Sequence, residues 1–444
     1  MSSLLRLSAD LLGPPPLEHT LANGLKVLMC PVDTAPLVSV WSWYRVGSKN
    51  ERPGITGIAH WVEHMNFKGT RRISMEDMKN RIERTGGTWN AYTFVDQTAY
   101  FETTAWTELD SLLELEAERM HACRYDPADV ESERTVVLSE LQGGENDPEE
   151  LLDQETTAAA IKAHPYHWPT IGWESDIRAL SRDDLYEFYR THYVPNNAVL
   201  VLVGKLDPGE ALRGVEARFA DIPAGPRPSP VTTREPEQRG ERRVILERAG
   251  STSFLRLAYP SPAFGHEDFA AMVLLDAVLA GGKGLNLWCS YSRASANQSA
   301  RLSRALVDTR LCASVNTLLV PTEQPYVYSV AAAIMAGASA DEAEKRMADQ
   351  VESLATALPS ERELEKARHQ VLARLVFDNE GVTLAAHQIG YFEALGARGA
   401  FRELPERIAS VSESDLVRVA GRYLTKQRRT VGHYVPTGNG HSVT

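Results

Sequence analysis

The chain has 444 residues, of which 43% are hydrophobic and 24% charged, ordinary values for a globular protein that exclude a disordered or fibrous chain. The net charge of −12 at pH 7 argues against nucleic acid as the main partner, because contacts to phosphates need a basic surface. No apolar run approaches the ~20 residues that a membrane helix needs, so we expect no membrane association.

The length predicts two or three domains. The first 16 residues contain one arginine, an early Asp10 and no apolar core of the length that signal peptides have. They therefore resemble neither a signal peptide nor a transit peptide, and we expect a cytoplasmic protein.

The first half of the chain carries clear strand and helix signals. Strand signals, from valine and aromatic content or short apolar runs, occur at residues 25–29, 37–45, 99–104 and 198–203. Helix signals occur at residues 57–67, 109–119 and 129–142, and we expect Gly143 and Gly144 to end the last helix. Because strands and helices do not alternate strictly, we predict the α+β class with helices on one face of each sheet.

The composition changes most sharply over residues 220–243, which are rich in proline, arginine and glutamate and predict an extended linker. The sequences on either side look like copies, since three features recur in the same order; one is the Ser181–Asp184 helix start, repeated at Ser412–Asp415. We therefore predict two homologous domains, over residues 1–220 and 244–444, each a mixed β-sheet with helices packed on one face, joined by a linker over residues 221–243.

Residues 57–70 contain His60, Glu63 and His64 in an H-x-x-E-H motif. On a helix, residues i and i+4 lie on one face, so both imidazoles can reach a single ion. Two neutral imidazoles suit zinc, and a catalytic zinc site needs one further protein ligand and a water. The order is the inverted form of the H-E-x-x-H signature. A chance match with two half-exposed histidines is the alternative.

Two further observations favour a metal site. The helix predicted over 129–142 holds Glu133 and Glu140, two turns apart on one face, so one can bind the metal while the other accepts a hydrogen bond from a ligand histidine. Solvated acids on an amphipathic helix are the alternative. The second half lacks the whole set: the matching positions are Leu275, Val278, Leu279, Ala367 and Arg374. Packing alone therefore does not require the first-half residues.

With these residues in place, the sequence resembles the pitrilysin/insulinase family of zinc peptidases, in particular the short single-chain type that includes mitochondrial processing peptidase. The resemblance rests on the H-x-x-E-H motif and on the segment ERTVVLSE, whose last residue follows His64 by 76 positions. Further matching stretches are HMNFKGT (64–70), GGTWNAYTFVDQTAYF (86–101), HPYHWPTIG (164–172) and YVPNNAVLVLVG (193–204). The resemblance covers essentially the whole chain.

The resemblance implies a zinc-dependent endopeptidase that hydrolyses unfolded peptides in an enclosed chamber. It implies one zinc ion per chain, bound by His60, His64 and Glu140. Glu63 would be the general base, and Glu133 would support a ligand histidine.

The resemblance also implies a substrate strand. Asn90, Ala91 and Tyr92 match the family's edge strand, which pairs with the substrate backbone and so tolerates many sequences. For Asn90, the alternative is a turn residue after two glycines.

The second half departs from the family pattern. Active members use an arginine and a tyrosine in a stretch like R-L-R-x-x-x-G-L-A-Y-S-V, but residues 301–315 read RLSRALVDTRLCASV. The expected tyrosine falls on Ala313 and the arginine near Leu306, with Arg304 and Arg310 as possible substitutes. We therefore predict a heterodimer, in preference to a homodimer, in which a homologous chain without H-x-x-E-H supplies the Arg/Tyr pair.

Two other functions stay open at this stage. One is a non-catalytic structural subunit, like the core proteins of respiratory complexes that share the fold. The other is a chaperone-like module that binds peptides in the same chamber. The complete ligand set favours the peptidase, and zinc content together with cleavage of a quenched peptide separates the three.

Overall fold

The computed structural model describes residues 11–226, 228–286 and 297–438. Asp10 and most of the segment on which the leader prediction depends lie outside these residues. The described residues form two mixed β-sheets with helices packed on them, which confirms the predicted α+β class with two homologous halves.

The first sheet has six strands in the order β1-β2-β6-β3-β5-β4, and only the β2–β6 pair is parallel among the described residues. Its strands are β1 (Leu17–Thr20), β2 (Lys26–Pro31), β3 (Leu37–Tyr44), β4 (Thr88–Thr93), β5 (Thr98–Ala105) and β6 (Ala198–Gly204). The helices of this half are α1 (Ile58–Met65), α2 (Met75–Glu83), α3 (Leu109–His121), α4 (Pro127–Glu145), α5 (Pro148–Ala160), α6 (Glu174–Ala179), α7 (Arg182–His192) and α8 (Pro208–Phe219).

The second sheet has five strands in the order β7-β11-β8-β10-β9, with β7 and β11 parallel. This order repeats that of the first sheet without β1, as expected for duplicated halves. Its strands are β7 (Arg242–Arg248), β8 (Phe254–Ser261), β9 (Cys312–Leu319), β10 (Tyr326–Ile334) and β11 (Thr430–Pro436). The described helices are α9 (Phe269–Ala280), α10 (Ala340–Glu352), α11 (Glu361–Phe377), α12 (Val382–Ala394), α13 (Arg398–Ser410) and α14 (Glu413–Tyr423).

The helix end predicted at Gly143 and Gly144 was wrong. Both glycines lie inside α4, which continues to Glu145. A glycine in a helix interior costs only about 1 kcal/mol, so it does not end a helix unless the backbone needs a positive φ. Here the next helix follows almost at once, because Asp147 accepts hydrogen bonds from the N–H groups of Glu149 and Glu150 at the start of α5.

Each sheet is covered on its second face by a helix from the other half. Helix α12 packs on β3 and β6 of the first sheet, and α5 packs on β7, β8 and β11 of the second. Strand β3 is therefore buried on both faces. Trp41 and Trp43 belong to a core shared with Tyr391 of α12, whereas Val40 packs with Trp61 of α1 in the core of the first half.

The contact between the halves depends on a glycine in α12. A Cβ at Gly390 would lie 1.9 Å from Nε1 of the buried Trp43, so helix and sheet can approach this closely only without a side chain. We expect Gly390→Ala to lower the free energy of unfolding by about 1–3 kcal/mol, measured by urea denaturation.

Gly399→Ala is the matched control, because nothing lies within 4 Å of a Cβ at Gly399 in α13. The control should be neutral or slightly stabilising, since alanine favours a helix over glycine. Equal unfolding free energies for the two variants would contradict the packing of α12 on the first sheet.

The segment between the two sheets forms neither helix nor strand over residues 223–226 and 228–239. The predicted domain and linker boundaries stay predictions, and β7 begins at Arg242, just inside the predicted linker. Among the described residues, none of the helices has both the length and the apolar character needed to cross a bilayer. The cytoplasmic location also stays a prediction.

Candidate metal centre

Helix α1 begins where the backbone at Gly57 packs closely against the backbone at Ile171. Its first turn is held by Glu51, whose carboxylate accepts hydrogen bonds from the N–H groups of Gly57 (3.0 Å) and Ala59 (2.9 Å). Gly57 adopts φ +85°, and a Cβ there would lie 2.3 Å from the carbonyl oxygen of Ile171. The chain can therefore turn into α1 only with glycine at this position, and this turn fixes where the helix with the two histidines begins.

The two histidines and Glu140, which the sequence analysis names as ligands, lie close together in the structure. The Nε2 atoms of His60 and His64 lie 3.2 Å apart. Oε2 of Glu140, from α4, lies 3.4 Å from Nε2 of His64 and 3.9 Å from Nε2 of His60. In a tetrahedral zinc site with bonds of about 2.0–2.1 Å, neighbouring donor atoms are about 3.3 Å apart. The donor types and their spacing therefore fit a single zinc ion.

Both histidines can offer Nε2 to a metal. Burial, together with nearby His64, lowers the pKa of His60 to about 3, so its imidazole is neutral. Burial alone would lower the pKa of His64, but the hydrogen bond to Glu133 and the charge of Glu140 raise it above its ordinary value. Because Nδ1 of His64 lies 2.9 Å from Oε1 of Glu133, a neutral His64 carries its proton on Nδ1, which directs the lone pair of Nε2 to the cluster.

Glu133 is itself held in the charged form. Burial opposes ionisation, yet the hydrogen bonds to His64 and Lys68 lower the pKa of Glu133 below its ordinary value. Lys68 makes an ion pair with Oε2 of Glu133. The geometry therefore places Glu133 behind the histidine rather than in the converging set, and Lys68 is a residue of this site that the sequence analysis missed.

Glu63 lies beside the cluster and is not one of the converging donors. It is 8% exposed, and burial raises the pKa of its carboxyl to about 7, although the Thr93 hydroxyl and His64 act in the opposite direction. The Thr93 hydroxyl donates a hydrogen bond to Oε2 of Glu63 at 2.7 Å. A carboxyl group that titrates near neutral pH can both accept and donate a proton, which suits a general base.

Asn90, Ala91 and Tyr92 lie on β4, which is an edge strand of the first sheet. The side-chain Oδ1 of Asn90 accepts a hydrogen bond from the N–H of Ala91 at 2.9 Å. The Tyr92 side chain points to the α12 side, where its hydroxyl lies 2.8 Å from Nε2 of His387. The strand thus has the expected position, but the Tyr92 ring contacts the other half of the chain and not the metal centre.

A cavity of about 390 Å³ opens beside the metal centre. The first half contributes His60, Thr93 and Glu140 to its wall, and the second half contributes Arg256 and Tyr326, among other residues. Arg256 forms an ion pair with Asp153 of α5 and donates a hydrogen bond to the Ser329 hydroxyl at 2.8 Å. No sequence pattern singled out Arg256, because it faces the cavity only once the two halves pack.

The arginines proposed as substitutes in the second half lie elsewhere. Arg304 and Arg310 are exposed, and neither lines this cavity. Ala313, where the family pattern expects a tyrosine, is likewise exposed and away from the cavity.

Family models and known relatives match this chain over most of its length. Residues 26–173 match the family model described as "Insulinase (Peptidase family M16)", and residues 179–371 match "Peptidase M16 inactive domain". Zinc protease PqqE of Helicobacter pylori is 29% identical over 420 residues, which cover 93% of this chain and 90% of the relative. The mitochondrial-processing peptidase subunit beta of Lentinula edodes is 27% identical, covering 93% and 88%.

Solved structures share the fold. A protease from Helicobacter pylori superposes with a TM-score of 0.88 at 27% identity, covering 95% of this chain and 100% of that one. A chain of complex III2 from Candida albicans superposes with a TM-score of 0.77 at 16% identity, covering 95% of each chain. At that identity the second likeness shows the fold alone.

Proposed function

Because the chain belongs to the pitrilysin/insulinase (M16) family of peptidases, we propose that it is the zinc-bearing subunit of a two-chain endopeptidase that hydrolyses unfolded peptides. The observation that carries this proposal is the convergence of His60, His64 and Glu140 on one point, with the buried Glu63 beside it. A structural subunit or a peptide-holding module would need neither feature.

His60, His64 and Glu140 would hold one zinc ion per chain. When bound, the ion would acidify a water molecule and polarise the carbonyl group of the scissile bond. Glu63 accepts the proton of the attacking water and delivers it to the leaving amine. Thr93 holds Oε2 of Glu63, so we assign the proton transfer to Oε1.

Substrate binds as an added strand. The open edge of β4 ends at Thr93, which lines the cavity beside the metal centre. A peptide that pairs with this edge must be extended, because main-chain hydrogen bonds carry the affinity. This requirement supports unfolded peptides as the substrate class and predicts weak dependence on side-chain sequence.

The partner is a homologous chain that lacks H-x-x-E-H. Two observations support it: the position of the expected tyrosine is Ala313, and the two arginines considered as substitutes, Arg304 and Arg310, are exposed and outside the cavity. One relative is itself named as a beta subunit. In a heterodimer the partner supplies the Arg/Tyr pair across the chamber.

The test is to purify the chain alone and together with any homologous chain that co-purifies from the native source. Elemental analysis should find one zinc ion per chain, and an internally quenched unstructured peptide should be cleaved when the partner is present. Removal of zinc with a chelator should stop cleavage, and added zinc should restore it. A chain without zinc under zinc-replete conditions would exclude a zinc peptidase, and full activity without a partner would exclude the heterodimer.

A separate prediction concerns Glu133, which we propose positions His64. Glu133→Gln should weaken zinc binding by about 10- to 100-fold, because the amide orients the imidazole less strongly than the carboxylate. Zinc affinity is measured by competition with a chromophoric chelator. Glu131→Gln on the exposed side of the same helix is the control and should bind zinc like the unchanged chain. Unchanged affinity in Glu133→Gln would remove Glu133 from the metal centre.

A further inference from the structure

Thr93 occupies a junction between the substrate strand and the general base. It is the last residue of β4, and its hydroxyl donates a hydrogen bond to Oε2 of Glu63 at 2.7 Å. The same hydroxyl lies 3.2 Å from the hydroxyl of Thr98, the first residue of β5. The hydroxyl of Thr98 in turn donates to the carbonyl oxygen of Val46 at 2.9 Å.

Thr93 and Thr98 each have one hydroxyl proton, which limits the hydrogen bonds that they can donate. A hydroxyl has one proton to donate, and Thr98 gives its proton to Val46. With Glu63 ionised, as its role as a base requires, the single proton of Thr93 goes to the carboxylate, which is the shorter of its two contacts. The Thr93 side chain is thus held by its hydrogen bond to the carboxylate, and no proton remains for its contact with Thr98.

The strand geometry places the backbone of the same residue at the open edge. The N–H of Phe94 donates to the carbonyl of Gln97, which makes these two a hydrogen-bonded pair across the turn. Pairs alternate along antiparallel strands, so Thr93 opposite Thr98 and Ala91 opposite Tyr100 are non-hydrogen-bonded pairs. The backbone groups of Thr93 and Ala91 therefore point away from β5, towards the open edge. The N–H of Ala91 donates there to Oδ1 of Asn90, and the N–H of Thr93 donates to the Glu63 carboxyl group. The C=O groups of both residues remain directed to the edge where a peptide would pair.

We propose, on the premise of the peptidase function above, that Thr93 is a positioning residue. It couples the pairing of a peptide with β4 to the orientation of the Glu63 carboxylate. Its carbonyl group meets the peptide at the open edge, while its hydroxyl and its N–H group hold the base. A peptide paired with this edge fixes the end of β4, and the Thr93 hydroxyl then holds the Glu63 carboxylate in one orientation. Thr93 thereby acts on the chemical step more than on peptide affinity.

The experiment compares Thr93→Val, Thr93→Ala and Thr93→Ser in the zinc-loaded chain with its partner. Thr93→Val keeps the shape and loses the hydroxyl, so kcat should fall by about 10- to 100-fold while KM stays unchanged. Thr93→Ser retains the hydroxyl and should restore most of the rate. Zinc content and the Kd of a reduced-amide peptide, which cannot be cleaved, should match those of the unchanged chain in every variant.

Thr103→Val is the matched control. Thr103 lies on the neighbouring strand β5, and its hydroxyl contacts those of Ser39 (2.7 Å) and Thr383 (2.8 Å) on the side away from Glu63. The Thr103→Val variant loses a comparable number of hydrogen bonds, but its kcat should equal that of the unchanged chain. Equal kcat values for Thr93→Val and the unchanged chain, or a loss confined to KM, would overturn the inference; if Thr93→Val did not fold, the same comparison would be made between Thr93→Ala and Thr93→Ser. An unchanged chain that binds zinc but cleaves no peptide would instead overturn the peptidase function itself.

Discussion

Replacing Glu63 by glutamine should lower kcat by about 10²- to 10⁴-fold, the usual contribution of a general acid–base group. The amide has nearly the same shape and can still accept the hydrogen bond from Thr93, so the local structure should persist. It cannot accept the proton of the attacking water. Because Glu63 does not belong to the converging donors, zinc content should stay at one ion per chain.

The measurement is single-turnover cleavage of the quenched peptide, with elemental analysis of the same preparations. Glu83→Gln, at the exposed end of α2, removes an acid of the same type away from the site and should leave the rate unchanged. Substantial cleavage by Glu63→Gln would assign the proton transfer to another group. Loss of zinc in this variant would make Glu63 a ligand, contrary to the geometry.

Elements with strong local patterns were predictable from the sequence. All four predicted strands and three predicted helices of the first half are present, with ends shifted by at most three residues. Strand β3 is an example. Its tryptophans, Trp41 and Trp43, fill one core and its valines, Val38 and Val40, fill the other, so its apolar sequence is a strong strand signal. The end of α4 was missed because a glycine pair signals a helix end only where the chain must turn.

The residue types of the metal centre were predictable from the sequence, but the role of each residue was only partly predictable. Helical spacing puts His60 and His64 on one face, and it does the same for Glu133 and Glu140. Spacing alone left open which glutamate faces the metal, since that depends on how α4 crosses α1. The resemblance implies Glu140, and Oε2 of this residue lies 3.4 Å from Nε2 of His64. Its role as a ligand stays a prediction.

Contacts between distant parts of the chain left no local signal. Tyr92 and His387 are 295 residues apart and meet only because α12 covers the first sheet. Arg256 lines the cavity for the same reason, because the two halves of the chain pack against each other. Thr93 and Lys68 lay inside stretches that carried the family resemblance, but their partners, Glu63 and Glu133, become evident only in three dimensions.

Glu140→Ala tests the metal centre most directly, because it removes one of three donors and leaves the histidines in place. Glu140 is the most exposed member of the set, with a side chain 45% exposed, so its loss should cost little folding stability. We expect zinc affinity to fall by more than the about 10- to 100-fold that loss of a supporting carboxylate costs. Peptide cleavage at limiting zinc should fall in parallel, and a large excess of zinc should restore only part of it.

Glu145→Ala separates loss of a ligand from loss of charge. Glu145 is an exposed acid at the end of the same helix, α4, and its removal changes the net charge by the same amount. If Coulomb attraction alone drew zinc to this acidic region, both variants would bind it less tightly by a similar factor. If coordination matters, only Glu140→Ala loses zinc while both variants unfold at the same denaturant concentration. Full zinc occupancy in Glu140→Ala would show that the third donor lies elsewhere, and the spacing of the three donor atoms would then have no bearing on function.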